Sequence, residues 1–96
     1  MIEVRQTRVF ADWLEGLRDR ASRLRIVARL RRMEMGNSGD TKAVGGGVSE
    51  MRIPFGPGYR VYFTMTDRVV VILLCGGDKS TQRADIAKAK KMVKEI

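Results

Sequence analysis

The chain has 96 residues, 44% of them hydrophobic, which is enough for one ordinary core, and we expect a single domain over residues 1–96. With 19 Lys and Arg against 11 Asp and Glu, the net charge of +8 favours partners that carry phosphate groups or acidic surfaces. One cysteine excludes an internal disulfide, and without histidine there are too few ligands for a structural zinc site, so we expect no metal or cofactor. Because the chain has neither a long apolar run nor a secretion signal, we expect a cytoplasmic protein without a membrane partner.

The first predicted elements are a short strand and a helix. Ile2 and Val4 alternate with charged residues over positions 1–5, as a half-buried strand requires. Thr7 is a suitable N-cap for a helix in which apolar residues recur at positions i, i+3, i+4 and i+7. Trp13 is the largest of these residues and is expected to anchor the core.

A second helix is predicted from about Ala21 to Met35, with a broad apolar arc on one side. The narrow opposite stripe contains Arg25, Arg29 and Arg32. Seven arginines lie between Arg18 and Arg32, and they form either a contact surface for nucleic acid or the ribosome or simply a solvated helix face. Residues 36–47 are rich in Gly, Asn, Ser and Asp and predict a loop.

A pair of alternating strands is predicted after this loop. Residues 48–53 and 59–65 each alternate in polarity, and the sequence FGPG between them is typical of a tight turn, so we expect an antiparallel pair. The side chains expected to face the core are Met51, Ile53, Val61 and Phe63. The side chains expected on the opposite, solvent-facing side are Glu50, Arg52, Arg60 and Tyr62.

The remaining predicted elements are an interior strand and a last helix. The run from Val69 to Cys75 does not alternate and predicts a strand that is covered on both sides. The two glycines that follow bring Lys79 to the edge of the polar face, and the helix starts near Ser80 or Thr81. The order β-α-α-β-β-β-α predicts an α+β fold, a small and mainly antiparallel sheet with helices packed on one face and the other face partly open.

The segments VSEMR, GYRVYF and LLCGGDKSTQ, together with the order of elements, resemble the RelE/ParE toxin superfamily, and most closely its HigB-like addiction-module killer proteins. The likeness runs over nearly the whole chain and implies a RelE-like fold. It also implies a toxin of a type II toxin–antitoxin system, neutralised by an antitoxin that we expect to be a helix-turn-helix protein of HigA type. The superfamily contains both ribosome-dependent mRNA interferases and gyrase inhibitors. We favour an mRNA interferase that inhibits translation; a gyrase inhibitor and a catalytically inactive basic binding module are the alternatives.

The resemblance also implies site residues. Arg60 matches the arginine of the GYR-type strand, and Arg52 matches that of the preceding strand; in RelE-like nucleases such basic residues hold the mRNA backbone. Lys79 and Gln82 match positions in a Gly-Phe-x-Lys-Lys-Thr-Gln pattern whose aromatic residue and second lysine are replaced here. The histidine of several HigB-type nucleases and the C-terminal tyrosine of RelE have no counterpart in this chain.

Metal-free cleavage of RNA through the 2′-hydroxyl requires a base, a proton donor and cations around the phosphorane. Guanidinium groups suit the phosphate contact because they bind phosphate bidentately, and Lys79 can assist them or donate a proton. Glu50 is either the base or the partner of Arg52 in a structural ion pair, and Tyr62 either stacks on a base, donates a proton or is an ordinary exposed residue. The predicted catalytic residues are Arg60, Lys79, Arg52 and Glu50. The predicted RNA-binding residues are Tyr62, Gln82, Arg25, Arg29 and Arg32.

Overall fold

In a computed structural model that describes residues 1–96, five strands form one sheet with three α-helices packed on it. The strands are β1 (Glu3–Gln6), β2 (Thr41–Gly45), β3 (Val48–Ile53), β4 (Tyr59–Thr66) and β5 (Val70–Asp78). The helices are α1 (Arg8–Gly16), α2 (Arg20–Glu34) and α3 (Gln82–Glu95), the last preceded by a 3₁₀ turn at Lys79–Thr81. The strand order is β1-β5-β4-β3-β2, and only β1 and β5 pair in parallel. The predicted α+β class, with a mainly antiparallel RelE-like sheet, is confirmed.

One face of the sheet is covered by α1 and α2. Met51 of β3 and Val61 of β4 are fully buried there, in one cluster with Phe10 of α1 and Ile26 of α2. These positions follow from the two-residue period of the strands, which sends every second side chain to the same face. The inward orientation that the sequence predicts for Met51, Ile53, Val61 and Phe63 is confirmed.

Thr7 joins the start of α1 to the middle of the sheet. Its Oγ1 accepts a hydrogen bond from the backbone N–H of Phe10, which confirms the predicted N-cap. The same hydroxyl shares its proton between the carbonyl oxygens of Leu73 and Leu74, at 2.8 and 2.9 Å. The cap therefore also fixes where α1 sits along β5.

The opposite face of the sheet is not open, because α3 lies across it. Ala89 of α3 is fully buried in a second cluster with Val48, Tyr62 and Leu74. The prediction that all helices share one face is therefore wrong. The apolar run of β5, which predicts a strand covered on both sides, needs a helix on each face, and α3 supplies the second one. None of the three helices is long and apolar enough to cross a membrane.

Two features of the sheet depart from the sequence prediction. Thr41–Gly45, predicted as loop, forms the edge strand β2 and pairs with β3. The sequence TKAVG has no polar alternation because most of this strand is exposed, so it lacks the pattern on which strand prediction relies. In addition, the β4–β5 register shifts between Tyr62 and Phe63, which turns both Leu74 and Cys75 toward α3.

Candidate functional site

The polar side chains predicted on β3 and β4 come together, but α3 covers most of them. Glu50 is 1% exposed and Tyr62 is 0% exposed, and the two residues are direct neighbours across the strand pair. Gln82, the first residue of α3, donates a hydrogen bond from Nε2 to Glu50 Oε2 at 2.8 Å. Glu50, Arg60, Tyr62 and Gln82 form a buried polar cluster. The expectation that Glu50 and Tyr62 face solvent is wrong, because it assumed that no helix covers this side.

Arg60 closes the outer end of the buried polar cluster. Its side chain is only 13% exposed, and its Nε lies 3.7 Å from Glu50 Oε2. Its Nη1 donates a hydrogen bond to the carbonyl oxygen of Gly58 at 3.1 Å. A buried carboxylate is costly unless it is paired and hydrogen-bonded, and Arg60 and Gln82 supply these two contacts to Glu50.

Arg52 is the neighbour of Arg60 across the strand pair, but its guanidinium is engaged elsewhere. Its Nη2 lies 2.9 Å from Asp40 Oδ1, and the hydrogen bond to this carboxylate raises the pKa of Arg52. The ion pair with Arg52, one of the two interpretations of Glu50 from the sequence, is therefore absent, and Glu50 pairs with Arg60 instead. The cause is the unpredicted strand β2, whose pairing with β3 brings Asp40 beside Arg52: the backbone N–H of Arg52 donates to the Asp40 carbonyl at 3.0 Å.

Lys79 lies beside the buried polar cluster, on the opposite side of Gly58 from Arg60. A Cβ atom added to Gly58 would lie 3.6 Å from Arg60 Nη1 and 3.7 Å from Lys79 Cβ. Gly58 has a φ of +81°, which also favours glycine at this position. Lys79 is exposed and forms no ion pair. Arg60 and Lys79 thus lie on either side of Gly58, and we call these two cations the cationic rim.

Tyr62 lies deeper in the cluster, with its hydroxyl buried and without a hydrogen bond of ordinary geometry. Burial, and next the nearby Glu50 carboxylate, raise the pKa of Tyr62 well above its usual value. The phenol therefore stays protonated at neutral pH. With α3 in place its ring has no free face for a nucleobase, so the stacking contact expected for Tyr62 is not available in this conformation.

Asp85, in the first turn of α3, is a second carboxylate beside the cluster, and it is not among the site residues predicted from the sequence. Thr81 Oγ1 donates a hydrogen bond to Asp85 Oδ2 at 2.6 Å. A Cβ atom added to Gly77 would collide with that same oxygen, and Gly77 is the strand neighbour of Arg60. The signals that point to Asp85 are its position four residues after Thr81, one helical turn on, and the glycine that makes room for it.

The arginines of α2 are not brought into the buried polar cluster, because α2 packs on the other face of the sheet. Arg29 donates from Nη1 to the carbonyl oxygen of Arg52 at 2.7 Å and from Nη2 to that of Ser38 at 3.1 Å. Arg25 Cζ lies 4.5 Å from the centroid of the Phe55 ring. The predicted RNA-binding residues therefore fall into two groups, one on each side of the sheet.

The helices on both faces of a five-stranded mixed sheet, with a cationic rim beside the last helix, define a small RelE-like α+β protein. Residues 12–94 match the family described as phage derived protein Gp49-like (DUF891), and the chain belongs to this family, which is associated with RelE-like toxins of toxin–antitoxin systems. An uncharacterized protein of Haemophilus influenzae (strain ATCC 51907 / DSM 11121 / KW20 / Rd) is 46% identical over 95 residues, which cover 99% of this chain and 96% of that protein. The narrower HigB-like assignment stays a prediction.

Proposed function

We propose that the chain is the toxin of a type II toxin–antitoxin system and a ribosome-dependent mRNA interferase, an endoribonuclease that acts through the 2′-hydroxyl. The observation that carries this proposal is the cationic rim, in which a guanidinium paired with Glu50 and an exposed, unpaired lysine lie on either side of Gly58. The net charge of +8 and the toxin association of the Gp49-like family support it.

Arg60 is the residue that best suits the transition-state phosphate. Glu50 and the Gly58 carbonyl hold its guanidinium on two sides, so little reorganisation is needed when charge develops on the phosphorane. Lys79 is the second cation, and as an exposed ammonium it can also donate a proton to the leaving 5′-oxygen.

With α3 in place, Glu50 and Tyr62 are closed to substrate, and Glu50 positions Arg60. Glu50 is buried below Arg60 and bound by Gln82, so its carboxylate reaches a 2′-hydroxyl only if the start of α3 moves. Arg52 is committed to Asp40 and takes part through its charge near the rim rather than through a direct phosphate contact. The base that takes the 2′-hydroxyl proton is therefore assigned to Glu50, in a conformation in which the start of α3 has opened.

The test is to express the chain alone and to follow protein and DNA synthesis by pulse labelling. We expect methionine incorporation to stop first, and new mRNA 5′ ends to appear only when ribosomes are present. If DNA synthesis stops first while methionine incorporation continues, the chain is a gyrase inhibitor. Translation arrest without new mRNA ends would identify an inactive binding module.

The Lys79→Ala variant tests the rim directly, because this side chain is exposed and makes no ion pair. We expect mRNA cleavage to fall on the order of 100-fold, while the free energy of unfolding stays within about 0.5 kcal/mol of wild type. Lys91→Ala is the matched control, since it removes the same charge from an exposed position of α3. Equal cleavage rates for the two variants would show that Lys79 is not part of the active site.

A further inference from the structure

A second candidate site lies between α2 and the turn that follows β3. It is a cavity of about 210 Å³, smaller than the roughly 300 Å³ at which pockets begin to enclose a whole small ligand. The size suits one protruding part of a larger molecule. The side chains that matter for its chemistry are those of Arg25, Arg29, Arg32 and Phe55.

The three arginines of this cavity form no ion pairs, since the ion pairs of the protein involve other arginines, and the nearest carboxylate that acts on Arg29 is that of Asp40, which is paired with Arg52. Arg25, Arg29 and Arg32 occupy positions i, i+4 and i+7, so they line one side of α2 over about 10.5 Å. Burial, and next the positive charge of Arg32, lower the pKa of Arg29. An anion in the cavity would relieve this repulsion between like charges.

Two of these side chains are already held in place. Arg29 donates two hydrogen bonds to backbone carbonyl oxygens, and Arg25 lies against the Phe55 ring. Arg32 remains exposed and free to close on a ligand. Side chains that are fixed before binding lose less conformational entropy when the ligand arrives, so the cavity is partly preorganised.

The contact between Arg25 and Phe55 favours RNA over an acidic peptide. Arg25 is exposed, so the side of its guanidinium that faces away from the ring is accessible. Unpaired nucleobases stack on arginine guanidinium planes as well as on aromatic rings, whereas a carboxylate hydrogen-bonds to the edge of the guanidinium and leaves its face unused. The cavity therefore offers a platform for a base next to two cations for a phosphate.

The turn from Phe55 to Gly58 joins this cavity to the cationic rim. The backbone N–H of Gly58 donates to the Phe55 carbonyl at 3.1 Å, so the turn is tight and its ends lie within roughly 7 Å of each other. Phe55 lines the cavity, and Gly58 lies between Arg60 and Lys79. One RNA strand that crosses this turn can occupy both places.

We propose that the cavity binds an unpaired nucleotide of the same RNA strand whose phosphate lies at the cationic rim, with the base against Arg25 and a phosphate between Arg29 and Arg32. The cavity is then a substrate subsite. This inference rests on the proposed function for the identity of the strand as mRNA, but the binding of single-stranded RNA at the cavity does not depend on cleavage.

The test measures the fluorescence anisotropy of a short labelled single-stranded RNA with 2′-O-methyl sugars, which cannot be cleaved. We expect Arg25→Ala to weaken binding on the order of tenfold and Arg32→Ala to reduce the slope of log K against log salt by about 0.7. Arg31→Ala is the matched control, because Arg31 is an exposed arginine of α2 that does not line the cavity. Phe55→Leu should reproduce part of the Arg25→Ala loss, since it removes the ring and keeps an apolar side chain.

Equal effects of Arg31→Ala, Arg25→Ala and Arg32→Ala would overturn the proposal, because they would show that only net charge matters. It is also overturned if poly-glutamate binds the cavity more tightly than RNA and loses that binding in Arg25→Ala, since the partner is then an acidic protein. If the wild-type protein and its variants bind RNA as expected but wild type cuts no mRNA in the presence of ribosomes, RNA binding at the cavity is supported and the proposed function is wrong. If wild type cuts mRNA and Arg25→Ala binds RNA and cuts mRNA like wild type, the proposed function is supported and the RNA subsite at the cavity is contradicted.

Discussion

Arg60 has two tasks at the residue scale, because the same guanidinium neutralises the buried Glu50 carboxylate and supplies charge to the rim. Removing it therefore affects stability as well as activity. An exposed strand residue would change stability by about 0.5 kcal/mol or less, but breaking a buried ion pair by removing one partner costs about 3 kcal/mol. A variant of this residue is informative only when these two effects are separated.

Comparing the single variant Arg60→Ala with the double variant that also carries Glu50→Gln separates the effect on stability from the effect on activity. Arg60→Ala should lower the melting temperature and abolish mRNA cleavage, because Glu50 loses its partner and the phosphate loses its contact. Glu50→Gln removes the unpaired charge, so the double variant should regain much of the thermal stability and none of the cleavage. Thermal melts and ribosome-dependent cleavage assays give both readouts. A double variant that cleaves at the wild-type rate would show that Arg60 does not contact the phosphate.

Cys75 gives a pH prediction at the same scale. Burial, together with the negative charge of Asp85, raises the pKa of the thiol to about 11 from an ordinary value of 9.0. Between these values the unfolded chain has lost the proton and the folded chain retains it, so stability falls as pH rises, by up to about 1.4 kcal/mol per pH unit. Urea unfolding of wild type and Cys75→Ala from pH 8 to 11 measures this difference. Parallel curves for the two proteins would contradict it.

At the scale of elements, α3 determines how much of the site reaches solvent. Its N-cap residue Thr81 makes no side-chain cap hydrogen bond, so the start of this helix is held by its contacts with the sheet. These contacts are the Gln82 hydrogen bond to Glu50 and the packing of Ala89 on Tyr62 and Leu74. The first turn of α3 therefore depends on the Gln82 hydrogen bond to Glu50 rather than on a side-chain cap of its own.

Gln82→Ala tests this view of α3. It removes a hydrogen bond to a buried carboxylate, and we expect a loss of about 2 kcal/mol in the free energy of unfolding. Hydrogen exchange should also become faster in the first turn of α3 than at its C-terminal end. Gln6→Ala, at an exposed position, is the control. If the two variants unfold at the same urea concentration, Gln82 does not hold the helix start.

The elements with strong patterns could be predicted from the sequence, and those defined by their neighbours could not. The inward faces of β3 and β4 and the Thr7 cap follow from local periodicity and capping chemistry. Strand β2 has no pattern of its own, because its pairing is set by β3. An apolar stripe predicts a helix, but it does not say which face of the sheet the helix covers, so the burial of Glu50 and Tyr62 could not be read from the chain.

For the candidate site, the sequence predicted the membership of the cluster better than its contacts. Glu50, Arg60 and Tyr62 share a face, as strand alternation requires. The partner of Glu50 depends on where the loop before β2 places Asp40, which is a tertiary contact without a local signal. Asp85 was missed for the same kind of reason, because its role depends on contact with Gly77 across the interface between α3 and the sheet.

At the scale of the whole molecule, the charge of +8 sets the expected behaviour toward partners. We predict a tight complex with a cognate antitoxin that presents an acidic surface. Because electrostatic attraction acts mainly on the encounter, added salt should slow association more than it speeds dissociation. Co-purification of the tagged chain with the product of a neighbouring reading frame, followed by stopped-flow binding, measures both. Recovery of the free chain beside a well-expressed neighbour would contradict the pairing.

The parallel pairing of β1 with β5 has a consequence for the order of events during synthesis. Glu3 of β1 lies beside Val70 of β5 in the sheet. The first strand to leave the ribosome therefore cannot pair until β5, the last strand, has also been made. Lys79, Gln82 and α3 emerge later still. At about 5 to 20 residues per second, a chain of 96 residues takes roughly 5 to 20 s to make. For most of that interval the nascent chain has no assembled cationic rim, because Lys79 and α3 have not yet been made.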